Sequence, residues 1–355
     1  MSSLKLRSLL LVLILMLVPA EVSANGGPLY DPAAGYGLLQ LDEHSNISLV
    51  HEKIMYSVSQ DSNYYTSRAE VTVQYELHNK SDVKKAVDVL FLTPSKEALT
   101  VTEGDSTIAA SVAAELRPVN WRPEVKTAVI EPVSVKELSL NLHGGMPIQA
   151  LGARFSLSFE ENETKAIVIR YVENGGIYDK GVINMIYSHL YYLTPAKFWE
   201  GEPQVELEVN LDARGSKLHS NLPMEQLSPT TYRATLNGLP SEEWYFSYTY
   251  PKRLLFPTNI EKDHNLMVLG SVAVFTAIMA ALALGFRKSY MFTIGAIASF
   301  SFTLYYISKM GGYPFDVILV PFTDAVVGIC LILCNLFIWR KNKSRRVASS
   351  TDRVQ

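Results

Sequence analysis

Residues 266–286 read LMVLGSVAVFTAIMAALALGF, an apolar run without one charged side chain. Coiled as a helix at about 1.5 Å per residue, such a run matches the roughly 30 Å hydrocarbon thickness of a bilayer. Two more follow: YMFTIGAIASFSFTLYYIS at 290–308, and VILVPFTDAVVGICLILCNLFIW at 317–339, which carries one charge at Asp324. Lipid offers backbone groups no hydrogen-bond partner, so each run is expected to be helical. A single run of this kind could be a buried helix of a soluble domain. Three in close succession, over 265–340, predict membrane spans.

At the other end of the chain, Lys5 and Arg7 precede the apolar stretch Leu9–Val18, Pro19 ends it, and Val22-Ser23-Ala24 offers small residues before Asn25. These are the parts of a Sec signal peptide over residues 1–24. An uncleaved anchor would need about twice the apolar length. Cleavage leaves the new N-terminus outside, so three crossings bring the C-terminus into the cytoplasm. The charges agree. Arg287 and Lys288 follow the first span, and Arg340, Lys341, Lys343, Arg345 and Arg346 follow the third, while only Lys309 lies between the second and third. That is the bias expected of cytoplasmic loops. The expected placement is a multi-pass protein of the plasma membrane with an extracellular ectodomain. Its basic cytoplasmic tail, 341–355, should rest against anionic lipid. Both cysteines, Cys330 and Cys334, fall in the third span, so the exported part has no disulfide, a pattern that favours a bacterial source. Sequons at Asn46, Asn79 and Asn162 would matter only in a eukaryote.

Between the signal and the spans the dominant period is two. Val71, Val73, Tyr75 and Leu77 alternate with polar residues, Asn79–Asp82 has turn composition, and Val87, Val89 and Phe91 resume the alternation. This predicts a β-hairpin. A second is predicted from 155–159, the polar turn 160–163, and 166–172. Further strands are expected near 47–58, 127–131, 205–211, 232–236 and 244–250. The fold class is therefore a mainly β ectodomain, antiparallel and β-sandwich-like, carried by three C-terminal transmembrane helices. Asn174-Gly175-Gly176 breaks the pattern and suggests two β modules, 25–180 and 181–250, with a single larger sandwich as the rival. Residues 251–264 form a membrane-proximal linker. Within the spans, Ala273, Ala277, Ala281 and Gly285, and likewise Gly295, Ser299 and Thr303, recur every fourth residue and predict a closely packed helix pair.

Charge is nearly balanced, with 32 Lys and Arg against 35 Asp and Glu, which argues against nucleic acid as a partner. No pair of histidines has metal-ligand spacing on a helix, His143 and His219 are isolated, and there is no nucleophile elbow, phosphate loop or dinucleotide fingerprint. No metal, cofactor or catalytic residue is therefore assigned. A Ser/His/acid set assembled in space stays open. Two groups of residues are candidates. Asp324, a carboxylate within a span, is costly unless paired or hydrated, so it is either functional or near the headgroups, with Lys309 or Thr303 as possible partners. Tyr191, Tyr192, Phe198 and Trp199 form an aromatic concentration that could serve as a binding surface or pack a core. These features predict a surface protein that binds an extracellular ligand or a membrane-protein partner, as sensor or scaffold, with membrane lipid as its other neighbour. An envelope enzyme with a dispersed site and an accessory subunit of a transport or export complex are the alternatives.

Overall fold

The structure, a computed structural model, describes residues 27–30, 40–42, 44–59, 67–93, 98–113, 118, 120–121, 126–140, 151–286, 288–310 and 314–351. The expected signal peptide lies outside them. The chain is mainly β with three long C-terminal helices. Its first strands are β1 (Gly27–Tyr30), β2 (Gln40–Leu41), β3 (Ile47–Ser59), β4 (Arg68–Asn79), β5 (Lys85–Thr93), β6 (Thr100–Glu103), β7 (Ser106–Ile108), β8 (Ser111–Ala113), β9 (Ala128–Glu131) and β10 (Lys136–Ser139). There follow β11 (Leu151–Phe159), β12 (Thr164–Asn174), β13 (Gly176–Tyr178), β14 (Ile186–Tyr191), β15 (Gln204–Leu211), β16 (Lys217–Ser220), β17 (Glu225–Gln226), β18 (Thr231–Asn237) and β19 (Trp244–Thr249). The helices are α1 (Glu261–Gly285), α2 (Tyr290–Met310) and α3 (Pro314–Thr351). Two compact units result: one runs through Tyr178 and from Ile186 to Thr249, the other takes Asp179–Met185 and the chain from Tyr250.

The β unit is built on an eight-stranded sheet in the order β17-β18-β15-β3-β4-β12-β6-β7. Only β15 and β3 run parallel. Strands from both sides of residue 180 share this sheet. Alternation sets its inner face, because residues opposite one another in register point the same way. Val209, Tyr56, Val71 and Tyr171 form one buried row across four strands, and Leu207, Ile54, Val73 and Ile169 the next. A five-stranded sheet, β2-β1-β5-β11-β8, and a four-stranded one, β13-β14-β19-β16, complete the layer above that face. Tyr56 meets Trp244 and Phe246 of the four-stranded sheet edge-on at 5.5 and 5.1 Å, and Tyr171 meets Phe91 of the five-stranded sheet at 5.8 Å. Both smaller sheets therefore cover one side of the large one. Each such ring is worth roughly 2–3 kcal/mol in burial, with about 1 kcal/mol more from edge-to-face pairing.

Both expected hairpins are absent. β4 pairs with β12 (Tyr75 opposite Ile167), and β5 pairs with β11 (Phe91 opposite Ala153). Each connection carries the chain from one sheet to the other. Neither has the two-residue Asn-Gly or Gly-X turn that closes a tight hairpin. Instead, buried Asn79 binds the two corners together. Its side-chain amide donates to Val83 O at 2.9 Å and to Glu160 O at 2.8 Å, and its backbone N–H donates to Glu163 O at 2.9 Å.

All three helices are long and apolar enough to cross a membrane, which makes this a multi-pass membrane protein. Leu266, Leu304 and Phe337 are among the large apolar side chains that point outward, as lipid-facing residues do. α1 begins before the expected 266, and α3 runs on through the basic stretch to Thr351 without a break, with Pro321 inside it. The small-residue ridge of α2 is a packing face: Gly295 lies against Met279 and Leu331. That of α1 is not. Ala273, Ala277 and Ala281 are exposed, while Val268, Val272, Met279 and Ala283 face inward. The groove left by Gly295 needs a bulky ridge to fill it, and Met279 supplies that better than an alanine.

Candidate functional site

The aromatic concentration lies in the β interior. Tyr191, Tyr192, Phe198 and Trp199 are all buried. Phe198 and Tyr192 join Leu41, Leu90, Leu92 and Trp121 in one hydrophobic cluster, with the Trp121 and Tyr192 rings edge-on at 5.9 Å. Phe198 closes a short 3-10 turn, Thr194–Phe198, started by Pro195. Their burial fits core packing, the other reading of these residues.

The chemistry sits beside them, on strand positions where polar side chains interrupt a buried row. His189 of β14 is enclosed, with Nε2 2.9 Å from Ser67 Oγ and Nδ1 3.2 Å from Glu173 Oε1. Ser67 Oγ lies 2.6 Å from Tyr248 OH, and Tyr56 OH donates to Glu173 Oε2 at 2.8 Å. One set of protons satisfies every member. Tyr248 donates to Ser67, Ser67 to His189 Nε2, His189 Nδ1–H to Glu173, and Tyr56 to the second carboxylate oxygen. The order of serine, imidazole and carboxylate is that of an activated nucleophile. Yet Ser67, His189 and Glu173 are each at most 3% exposed, so no substrate reaches the hydroxyl in this conformation. What the chain does here is join β12, β14 and β19 through buried hydrogen bonds. Gly175 guards it. A Cβ there would lie 2.6 Å from Ser188 O and 2.7 Å from His189 Cε1. Gly175→Ala should destabilise the β unit by about 1–3 kcal/mol through overpacking, measurable as a lower midpoint in denaturant.

A second acid is less well served. Glu52 falls in the row Val205–Glu52–Tyr75–Ile167 of the inner face and is fully buried. Tyr191 OH donates to its Oε1 at 3.0 Å, and Tyr75 OH lies 3.4 Å from Tyr191 OH. Oε2 has no partner among the described residues. Burial pushes this carboxyl up to about 8, against the opposing pull of the tyrosine hydrogen bonds. Nearby Glu243 is also raised by burial, and it accepts from the backbone and hydroxyl of Thr194.

On the surface, Asp88, Ala109, Ala110, Ser111, Arg154, Phe155 and Ser156 line an open cleft of about 410 Å³. β5 and β11 place Asp88 opposite Ser156, and Arg154 donates to Asp88 at 2.6 Å. With Arg154 and Ser156 both bonded to it, the Asp88 carboxyl is held below its usual range. Among the described residues, no group of three or more His, Cys, Asp or Glu side chains is placed to hold a metal ion. His219 lies on β16, and His143 is outside the described residues.

In the helical unit Asp324 is fully enclosed by the chain itself. Thr303 Oγ1 is 2.8 Å from its Oδ2, and Oδ1 has no partner among the described residues. Lys309 is exposed on α2 and makes no ion pair among the described residues. Cys330 and Cys334 face outward.

No known protein family matches this sequence, and no curated protein resembles it. Among solved structures, a candidate nutrient binding protein of Legionella pneumophila aligns at 12% identity and a TM-score of 0.42, over 64% of this chain and 72% of that one. Leukotriene A4 hydrolase of Saccharomyces cerevisiae aligns at 11% identity and a TM-score of 0.33, over 59% of this chain and 30% of that one. An M1 zinc metallopeptidase of Deinococcus radiodurans aligns at 9% and 0.28, over 57% of this chain and 42% of that one. The chain thus spans less than half of either enzyme. With so little shared in sequence and shape, none of the three bears on function.

Proposed function

We propose that this is a membrane-anchored surface protein whose β unit, exported across the plasma membrane, binds a small polar ligand and acts as a sensor or scaffold. The observation that carries this reading is the cleft at Asp88 and Arg154. Its volume of about 410 Å³ falls within the roughly 300–1,000 Å³ of small-molecule sites. It sets a guanidinium, a carboxylate and the hydroxyls of Ser111 and Ser156 together on the face of β11 opposite buried Phe155. That set suits a zwitterionic or polyhydroxylated molecule, with Arg154 and Asp88 parting to pair with it.

The test uses the full chain in lipid nanodiscs, heated with panels of free amino acids, short peptides and monosaccharides. At least one panel member should raise the unfolding temperature of the β unit, and Arg154→Ala should abolish the rise. No response across the panels, or one that survives Arg154→Ala, removes the cleft as the site. For the placement, protease added to intact cells should digest the β unit. Protection until lysis overturns it.

A second reading, an envelope hydrolase, has the Ser67–His189–Glu173 order in its favour and their burial against it. Covalent labelling of Ser67 by a fluorophosphonate probe on the native chain would establish that reading, and absence of labelling leaves the binding one.

A further inference from the structure

The helical unit holds a carboxylate that its own surroundings leave short of positive charge. Asp324 is 0% exposed within this chain, so no partner helix is needed to cover it. The hydrogen bonds available to it do not suffice. Thr303 Oγ1 lies 2.8 Å from Asp324 Oδ2 and 3.0 Å from the Ser299 carbonyl, and a threonine hydroxyl has one proton for the two acceptors. Asp324 Oδ1 has no partner among the described residues.

Two more enclosed oxygens without partners among the described residues come from the neighbouring helices, Ser299 Oγ on α2 and Thr276 Oγ1 on α1. The helix register brings them to one level. Gly295 packs against Met279, and Tyr306 OH lies 3.3 Å from Asn265 Oδ1, which fixes α1 and α2 as antiparallel neighbours. Thr276 is one turn from Met279 toward Asn265, and Ser299 is one turn from Gly295 toward Tyr306. Thr303, a turn further along α2, touches Asp324. Four polar side chains from all three helices thus lie on successive levels of the bundle interior, a polar track in which the unpartnered atoms are oxygens.

We propose that this track binds a dehydrated alkali-metal cation, with the Asp324 carboxylate as its counter-charge and the hydroxyls of Ser299, Thr303 and Thr276 as neutral oxygen ligands. Hard cations take oxygen ligands. A water molecule could donate to Oδ1 but would leave the buried charge uncompensated, and a cation both neutralises it and accepts the hydroxyl lone pairs. The inference concerns the helical unit alone, so its failure leaves the reading of the β unit untouched, and the reverse.

The experiment uses the full chain, purified in choline chloride and placed in nanodiscs of uncharged lipid. Sodium, lithium and potassium are titrated against choline at constant ionic strength, following hydrogen exchange over residues 290–330 and the unfolding temperature. One alkali cation should slow exchange around Ser299–Thr303 and Asp324, saturably. Asp324→Asn should abolish the effect, and Ser299→Ala should weaken apparent binding at least about tenfold, since only ligand-linked protection is lost. Identical behaviour in choline and in all three alkali salts overturns the proposal, as does a cation effect that persists in Asp324→Asn. So does an infrared carboxylic-acid C=O band that disappears in Asp324→Asn, which would put a proton where the cation is placed. Should Asp324→Asn fail to fold, the wild-type titration and Ser299→Ala still decide the matter.

Discussion

Glu52→Gln is expected to stabilise the β unit by several kcal/mol at pH 9 and to change it little at pH 5. The wild-type carboxyl is buried between two layers with one oxygen unpartnered, and burial raises it from its ordinary 4.5 to about 8. The folded protein therefore holds this proton more tightly than the unfolded chain does. Unfolding releases it between these two values, so stability falls as pH rises across that window and levels off above about pH 8. At about 1.4 kcal/mol per tenfold, the full cost of ionising Glu52 in place is on the order of 5 kcal/mol, less whatever the interior recovers by relaxing. A glutamine keeps an acceptor for the Tyr191 hydroxyl and has no charge to bury. Three of the four tryptophans, Trp121, Trp199 and Trp244, report on this unit. Their fluorescence in urea at pH 5, 7 and 9 should show wild-type stability falling and the variant staying nearly flat by comparison. Parallel pH profiles for the two proteins would mean that Glu52 does not carry the burial cost assigned to it.

Glu52 also shows what was legible in the sequence and what was not. Alternation located β4, β11, β12 and β15 because an inward face needs an apolar side chain at every second position. It carries no information on partners, so β4 and β5 looked like one hairpin when each pairs instead with a strand about 60–105 residues further on. The parallel contact of β15 with β3 is beyond local reading for the same reason. The buried acids were within reach. Counting back by two from Val58, Tyr56 and Ile54 arrives at Glu52, and counting forward from Ile167, Ile169 and Tyr171 arrives at Glu173. His189 stands between Tyr187 and Tyr191 with the same spacing. A charged residue in phase with a buried row is the signal. Asp324 was conspicuous because nothing else in its span is charged. On α1 the spacing of small residues pointed to the wrong face, since Ala is as suited to lipid as to a helix neighbour.

Glu173→Ala should be among the most damaging single changes in the β unit, costing roughly 2–5 kcal/mol, because it leaves two buried donors unsatisfied at about 1–3 kcal/mol each. The carboxylate accepts from Tyr56 OH at 2.8 Å and His189 Nδ1 at 3.2 Å, and both donors are enclosed. Alanine leaves them unpaired with no route to water. The imidazole, no longer oriented, loosens its grip on Ser67, which in turn holds Tyr248 of β19. Three controls separate this chain from simple loss of volume. Glu173→Gln keeps one acceptor and turns an amide toward the other donor, so it should cost about half as much. Tyr56→Phe removes a single donor and keeps the ring against Trp244 and Phe246, so it should cost about 1 kcal/mol. The double variant Glu173→Ala with Tyr56→Phe should then be less destabilised than the sum of the two, because the second change removes a donor the first has already orphaned. Denaturant midpoints of the four proteins measure that coupling directly. Strict additivity would show that Tyr56 and Glu173 act separately, and the buried chain would then be a set of neighbours rather than a unit.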